Sequence, residues 1–248
     1  CLLTFLKTNI KTIAINCTLM KNYDKEIPLI SIHIPKCGGS SFKEAVSKWY
    51  GKNLYFHYYN EKDGLMPKKI KLKPWHLIGY KENLCIHGHF NHKRGFGVDD
   101  YYPEIKQAIT FLRDPLETAL SVFFYGHKLM KENKSYRNGK KFEIINDIDE
   151  FLENRNSYIS YFLPKGMNRN NINQYINDYF VHIGVMEHFQ KSMDILAEKL
   201  NKPIIKIGHE NISKRTQEPS KDSINKFKSK CEFEYYLYDR ALELNNIT

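Results

Sequence analysis

The chain has 248 residues, 42% of them hydrophobic and 14% aromatic, which suffices for one sizeable core and would cramp a second full domain. Its 38 Lys and Arg exceed its 28 Asp and Glu, giving a formal charge of +10, and a mean hydropathy of -0.56 excludes a multi-span membrane protein. The aromatic load excludes disorder throughout. The positive charge predicts an anionic partner without choosing among a nucleotide, a polyanionic sugar, nucleic acid and a membrane surface.

Cys1, Cys17, Cys37, Cys85 and Cys231 are odd in number and far apart, so they form neither a disulfide framework nor a C-x-x-C metal knuckle, and reduced thiols are expected. Residues 1–28 are expected to be a tail or an edge extension, and residues 29–248 a single domain. Lys7 and Lys11 interrupt the early apolar runs, which argues against a signal h-region or a spanning helix. A cytoplasmic location is the expectation; membrane association, or a Golgi lumen, would require an anchor preceding this sequence.

The first strand is predicted over 29–33, ended by Pro35, with a loop over 36–40. Phe42, Ala45, Val46 and Trp49 then have helical spacing, with Ser40 or Ser41 as N-cap and Gly51 as the stop. Residues 60–74, with Lys62, Lys68, Lys69, Lys71 and Lys73 among Gly64, Pro67 and Pro74, suggest an exposed basic connection. Strands are predicted over 84–87 and 108–112, and Pro115 opens a helix through Leu116, Ala119, Leu120, Phe123 and Phe124. Residues 128–141 are polar, basic and aperiodic, which predicts a loop. Two short helices over 149–163, a strand over 181–186, a helix over 189–200, a strand over 204–207 and helix over most of 224–244 complete the pattern. The Asn-rich stretch 168–177 is a bias of composition only. Alternating strands and helices predict an α/β fold with a central parallel sheet covered by helices on both faces.

The run from Ile32 through Pro35-Lys36-Cys37-Gly38-Gly39-Ser40-Ser41 to Phe42 brings paired glycines, hydroxyls and a Lys to a strand-to-helix junction. Glycines let the backbone approach an anion, the helix N-terminus presents unpaired N–H groups, and Lys adds charge. An ordinary Gly-Gly turn would read the same way. Lys36 precedes the glycines, so this is not a Walker A loop, and an ATPase or kinase-like phosphate-loop transferase is the weaker alternative. A thiolate at Cys37 would need an Arg six residues on, where Lys43 stands. Arg113, at the end of the third strand, can take a phosphate bidentately, and Ser121 on the following helix can complete a cradle. An Arg113–Asp114 surface pair with Ser121 facing solvent is the bland alternative. A non-enzymatic polyanion-binding module would likewise leave both loops structural.

The Pro35-to-Ser41 loop and Arg113-Asp114-Pro115 with Ser121 resemble the two nucleotide-binding motifs of sulfotransferases that use 3′-phosphoadenosine 5′-phosphosulfate (PAPS). His87-Gly88-His89-Phe90 is similar to the His-Gly-His segment of the heparan sulfate 2-O-sulfotransferase branch, and the stretch from Ile183 to Phe189 to its later strand-to-helix signature. The resemblance implies a P-loop-type sulfotransferase fold, PAPS as co-substrate, 3′-phosphoadenosine 5′-phosphate (PAP) as product and no required metal. It implies that Lys36, Cys37, Gly38, Gly39, Ser40 and Ser41 hold the 5′-phosphosulfate end, while Arg113 and Ser121 hold the 3′-phosphate and Arg215 approaches the nucleotide. The family usually has Thr where Cys37 stands, so only backbone groups are expected to serve there. His89 is implied as general base, with His87 supporting it and Lys36 stabilising charge on the leaving phosphate oxygen. From the residues alone, His87 and His89 could equally be hydrogen-bonded strand-end histidines or a metal pair. The expected acceptor is a hydroxyl of a glycan, and the basic stretches 62–73 and 128–141 would border a groove for an anionic one; nucleic acid is not an expected partner.

Overall fold

The computed structural model describes residues 19–71, 84–132, 136–137, 140–141, 144–156, 158–208 and 215–247. Five strands form one sheet: β1 (Leu29–Ile32), β2 (Leu54–His57), β3 (Cys85–Gly88), β4 (Ala108–Leu112) and β7 (Phe180–Val185), in the spatial order β2-β3-β1-β4-β7. Every neighbouring pair is parallel, with Ile30 facing Ile86 on one side and Ala108 on the other. All residues of β1, β3, β4 and β7 are buried, as apolar runs in a sheet covered on both faces must be.

The covering helices are α1 (Gly39–Tyr50), α2 (Val98–Tyr101), α3 (Pro115–Lys131), α4 (Ile148–Glu153), α5 (Ile172–Tyr179), α6 (Phe189–Lys199), α7 (Lys221–Lys230) and α8 (Glu232–Leu244). Side chains alternate across the strands, so the two faces draw on different residues. On one face Phe42, Ala45 and Val46 of α1 and Met193 and Leu196 of α6 pack with Leu29, Ile109, Phe111 and Val181. On the other, Ile30, Ile32, Ile86, Leu112 and Ile183 pack with Ile172 and Ile176 of α5 and Leu237 and Ala241 of α8. A third cluster joins Ala119, Leu120 and Phe123 of α3 to Leu152 of α4 and Phe227 of α7. The α/β architecture with helices on both faces is therefore as expected.

Four local expectations change. The first helix begins at Gly39, two residues before Ser41, because Gly38 in the left-handed region (φ 76°) turns the chain into it; Gly38 is the N-cap, and Ser40 and Ser41 lie in the first turn. Residues 204–207 run as an extended segment outside any sheet, held by the Gln190 side chain, which donates to the Ile205 carbonyl and accepts from the Ile207 N–H. Within 128–141, α3 continues to Lys131, and β5 (Tyr136–Arg137) pairs antiparallel with β6 (Lys140–Lys141). The Asn-rich stretch contains α5, preceded by a turn in which the Asn168 carboxamide oxygen accepts from the Asn170 N–H. Of the segment before residue 29, 1–18 lie outside the described residues, as do residues 72–74 of the basic connection, whose remaining residues 60–71 are mostly exposed. Residues 19–28 lead into β1, with the buried Gln107 amide donating to the carbonyls of Asp24 and Ile27.

Cys37, Cys85 and Cys231 are buried, and none of the three is in a disulfide. No helix among the described residues is long and apolar enough to cross a membrane.

Candidate functional site

In an open parallel sheet, ligands collect beyond the carboxyl ends of the strands, where the connections diverge. The loops after β1, β3 and β4 meet there. Between β1 and α1, the Pro35 carbonyl accepts from Tyr158 Oη at 3.0 Å and the Cys37 N–H bonds the Ile34 carbonyl at 3.3 Å. Lys36 itself is left-handed (φ 70°), a conformation that costs a non-glycine residue about 1 kcal/mol or more. Gly38 is required twice, by its positive φ and because a Cβ would run into Met186 Sδ and lie 3.1 Å from Phe189. Met186 and Phe189 belong to the later strand-to-helix signature, which thus packs directly on the first loop.

An α-helix leaves its first N–H groups without intrahelical acceptors, and Gly38 has no side chain to cap them. The N–H groups of Gly39, Ser40 and Ser41 are accordingly placed to receive an anion. Cys37 offers less. Its side chain is 2% exposed, with Sγ 3.8 Å from Thr118 Oγ1, and burial pushes the thiol up to about 12, so no thiolate nucleophile stands here.

Arg113 leaves the end of β4 toward this loop. Its Nη1 lies 3.5 Å from the Lys36 carbonyl and its Nη2 3.2 Å from Glu117 Oε2, the same carboxylate oxygen that accepts from Arg215. The Arg113–Asp114 surface pair is therefore not formed. Asp114 instead caps α3 by accepting from the Glu117 N–H, and its own N–H donates to Glu187. Ser121 is half-buried and one helical turn beyond Glu117; one turn further on is Tyr125, over whose ring the Lys36 ammonium sits at 3.8 Å. Ser121 thus lies on the stripe of α3 whose ends touch Arg113 and Lys36. Burial, then Arg113 and Lys128, depress the Lys36 pKa.

The second half of the site is made of imidazoles. Gly88 admits β2 beside it, since a Cβ there would run into the His57 carbonyl, and the His89 N–H bonds that same carbonyl at 2.9 Å. His87 is fully buried, with Nδ1 2.9 Å from Ser31 Oγ and Nε2 unpartnered. His89 Nε2 is also buried without a partner. Both contact a third ring, His33, at centroid distances of 5.5 Å for His87 and 4.5 Å for His89. Burial, aided by His33 and Arg94, holds His89 down at about 3; burial and Lys43 hold His33 at about 4; and burial keeps His87 well below its usual range. All three are neutral at pH 7.

The structure therefore brings the two predicted halves together around one loop: Lys36 with Arg113, Ser121 and Arg215 on one side, His87 and His89 on the other. Sequence reasoning missed His33, Tyr58, Glu117, Tyr125 and Arg155. Arg155 stacks 5.0 Å from the Tyr158 ring, and its Nε is buried without a partner. Of these only His33, three residues before Lys36, stood in a stretch already singled out. Among the described residues, no group of three His, Cys, Asp or Glu is arranged to hold a metal ion.

No protein-family model and no curated protein matches the chain. Among solved structures, the chain is similar to the mouse sulfotransferase SULT7A1 complexed with PAP, with a TM-score of 0.41 and 15% identity over 75% of this chain. The match spans 62% of that chain.

Proposed function

We propose that this chain is a sulfotransferase that moves the sulfuryl group of PAPS to a hydroxyl acceptor, most naturally one on a carbohydrate. The observation that carries the reading is the meeting of Arg113 with the Lys36 loop at the carboxyl edge of the sheet, with a pair of neutral histidines beside it. PAPS carries anionic groups at both ends of its ribose. The uncapped start of α1 and Lys36 suit the 5′-phosphosulfate, while Arg113, Ser121 and Arg215 suit the 3′-phosphate. These are cations and N–H donors in a half-buried setting, where charge-assisted hydrogen bonds exceed their strength in water.

In this reading His89 takes the acceptor proton at Nε2, and His87, held by Ser31, supports it. A base held near 3 is weak at neutral pH, but a neighbouring anionic donor favours the imidazolium and raises it. Lys36 would shift from the Tyr125 ring to the oxygen on which charge develops as the phosphate departs.

The test is thermal stabilisation. PAP should raise the Tm in a concentration-dependent way that chelator leaves unchanged, and ATP should not. Stabilisation by ATP with Mg²⁺ and none by PAP would replace the reading with a kinase-like one. Transfer of labelled sulfuryl from PAPS to a panel of neutral and anionic glycans then identifies the acceptor.

A further inference from the structure

His33 is the residue of this site whose role the sequence leaves unassigned. It follows β1 directly, and its ring lies against the first residue of α1: a Cβ on Gly39 would run into Nε2, the ring atom nearest to it. Its other nitrogen, Nδ1, is 2.9 Å from Tyr58 Oη, and its backbone N–H bonds the Gly88 carbonyl at 2.8 Å. With His87 and His89 packed on it, His33 stands between the imidazole pair and the start of the helix.

Only one of the two neutral tautomers of His33 suits an anion at the start of the helix. A neutral imidazole has one N–H and one lone pair. Burial keeps the Tyr58 phenol protonated, so its Oη can either donate to Nδ1 or accept from an Nδ1–H. With Tyr58 donating, Nε2 carries the hydrogen and lies against the turn whose free N–H groups call for an anion. The opposite tautomer would aim a lone pair at that anion.

We propose that His33 is a catalytic residue whose Nε2–H donates to a sulfuryl oxygen of PAPS, and that Tyr58, donating from Oη to Nδ1, is the positioning residue that fixes this tautomer. The proposal rests on the sulfotransferase reading. In the transfer, the acceptor oxygen bonds to sulfur while the bond from sulfur to the bridging phosphate oxygen breaks, its electron pair leaving on PAP. The acceptor proton goes to His89. The hydrogen on His33 stays where it is, holding the sulfuryl group in line.

The experiment compares the affinities of PAPS and PAP, which differ only in the sulfuryl group, by titration calorimetry. Expected for His33→Ala is a loss of about tenfold in PAPS affinity with PAP affinity within about twofold, the measure of one hydrogen bond to a charged group. His33→Gln, which restores an N–H, should recover most of that loss, as it could not if His33 served as a base. Imidazole ¹⁵N shifts should show a single Nε2–H tautomer for His33 in the wild type and a mixture in Tyr58→Phe, a change of one hydroxyl that keeps the ring packing. Equal PAPS-to-PAP ratios in wild type and His33→Ala, or an Nδ1–H tautomer in the wild type, would overturn the proposal while leaving the sulfotransferase reading intact. A wild-type protein that binds neither nucleotide would overturn both.

Discussion

The two halves of the site use opposite electrostatics. On the α3 side, Arg113 and Arg215 hold permanent charge at a half-exposed surface beside Lys36, with Glu117 shared between the two guanidiniums. On the β3 side, His33, His87 and His89 are packed together, kept neutral by burial and surrounded by aromatic rings. Charge that never titrates is suited to gripping an anion at any pH, and neutral imidazole to accepting or directing a single proton. The loop from Pro35 to Gly38 lies between the two, so under the proposed function binding and transfer can be broken independently.

The largest effect expected from breaking that division is in His89→Ala. Turnover should fall by about a thousandfold, within the range general-base removal gives, while PAP affinity is unchanged. Kinetics with labelled PAPS and calorimetry with PAP check the two halves of that statement separately. Arg113→Ala is the mirror experiment. Loss of its fork should weaken PAP binding by about 2 to 3 kcal/mol, roughly 30- to 150-fold, and turnover at saturating PAPS should change far less. If His89→Ala abolished PAP binding, or Arg113→Ala left it intact, the two sides would not have the roles given to them.

How far the sequence carries this division can be judged residue by residue. β1, β3, β4 and β7 are apolar runs of the length buried parallel strands need, and α1, α3 and α6 show 3.6-residue spacing, so local pattern and fold agree. β2, Leu54-Tyr55-Phe56-His57, escaped because it is a short edge strand in which the adjacent Tyr55 and Phe56 are both exposed, so it has the composition of a strand without the alternation that marks one. Residues 204–207 have the apolar character of a strand but take their backbone bonds from the Gln190 side chain, a partnership set by tertiary placement. In the site, Lys36, Arg113 and the two histidines were legible because they lie in motifs. Glu117, Tyr125 and Tyr58 were not, since nothing local says that a Glu one turn into α3 will bridge arginines about a hundred positions apart, or that a tyrosine on the edge strand will hold His33.

Acid should expose the neutral half before the charged one. His33 and His57 are lowered to about 4 and His89 to about 3, in each case chiefly by burial, against about 6.5 in the unfolded chain. Below 6.5 the unfolded state therefore binds more protons than the folded one, and stability falls as the pH drops. The contribution is complete above pH 6.5 and is lost progressively down to the folded values of about 4 and 3. Tm measured from pH 7 to pH 4 should decline, and the decline should be shallower in His57→Gln, since the His57 ring makes its backbone contact at the Phe96 carbonyl (3.2 Å), away from the Lys36 loop. PAP bound beside His33 and His89 should raise their pKa values, a shift that imidazole NMR reads directly.

The smallest expected effect tests how the charged half is tuned. Glu117 accepts from Arg113 and Arg215, and so holds the two guanidiniums in place while opposing any phosphate that approaches them. Glu117→Gln keeps the side-chain oxygen as an acceptor and removes the charge. If the carboxylate chiefly competes with the ligand, PAP should bind about threefold tighter at low ionic strength, with the gain fading as salt screens the half-exposed charges. If it chiefly organises the arginines, the variant should bind more weakly at every salt concentration, because two unpaired cations would then repel one another across the site. Arg113 also touches the Lys36 carbonyl and keeps that anchor when Glu117 is neutral, which favours the first outcome.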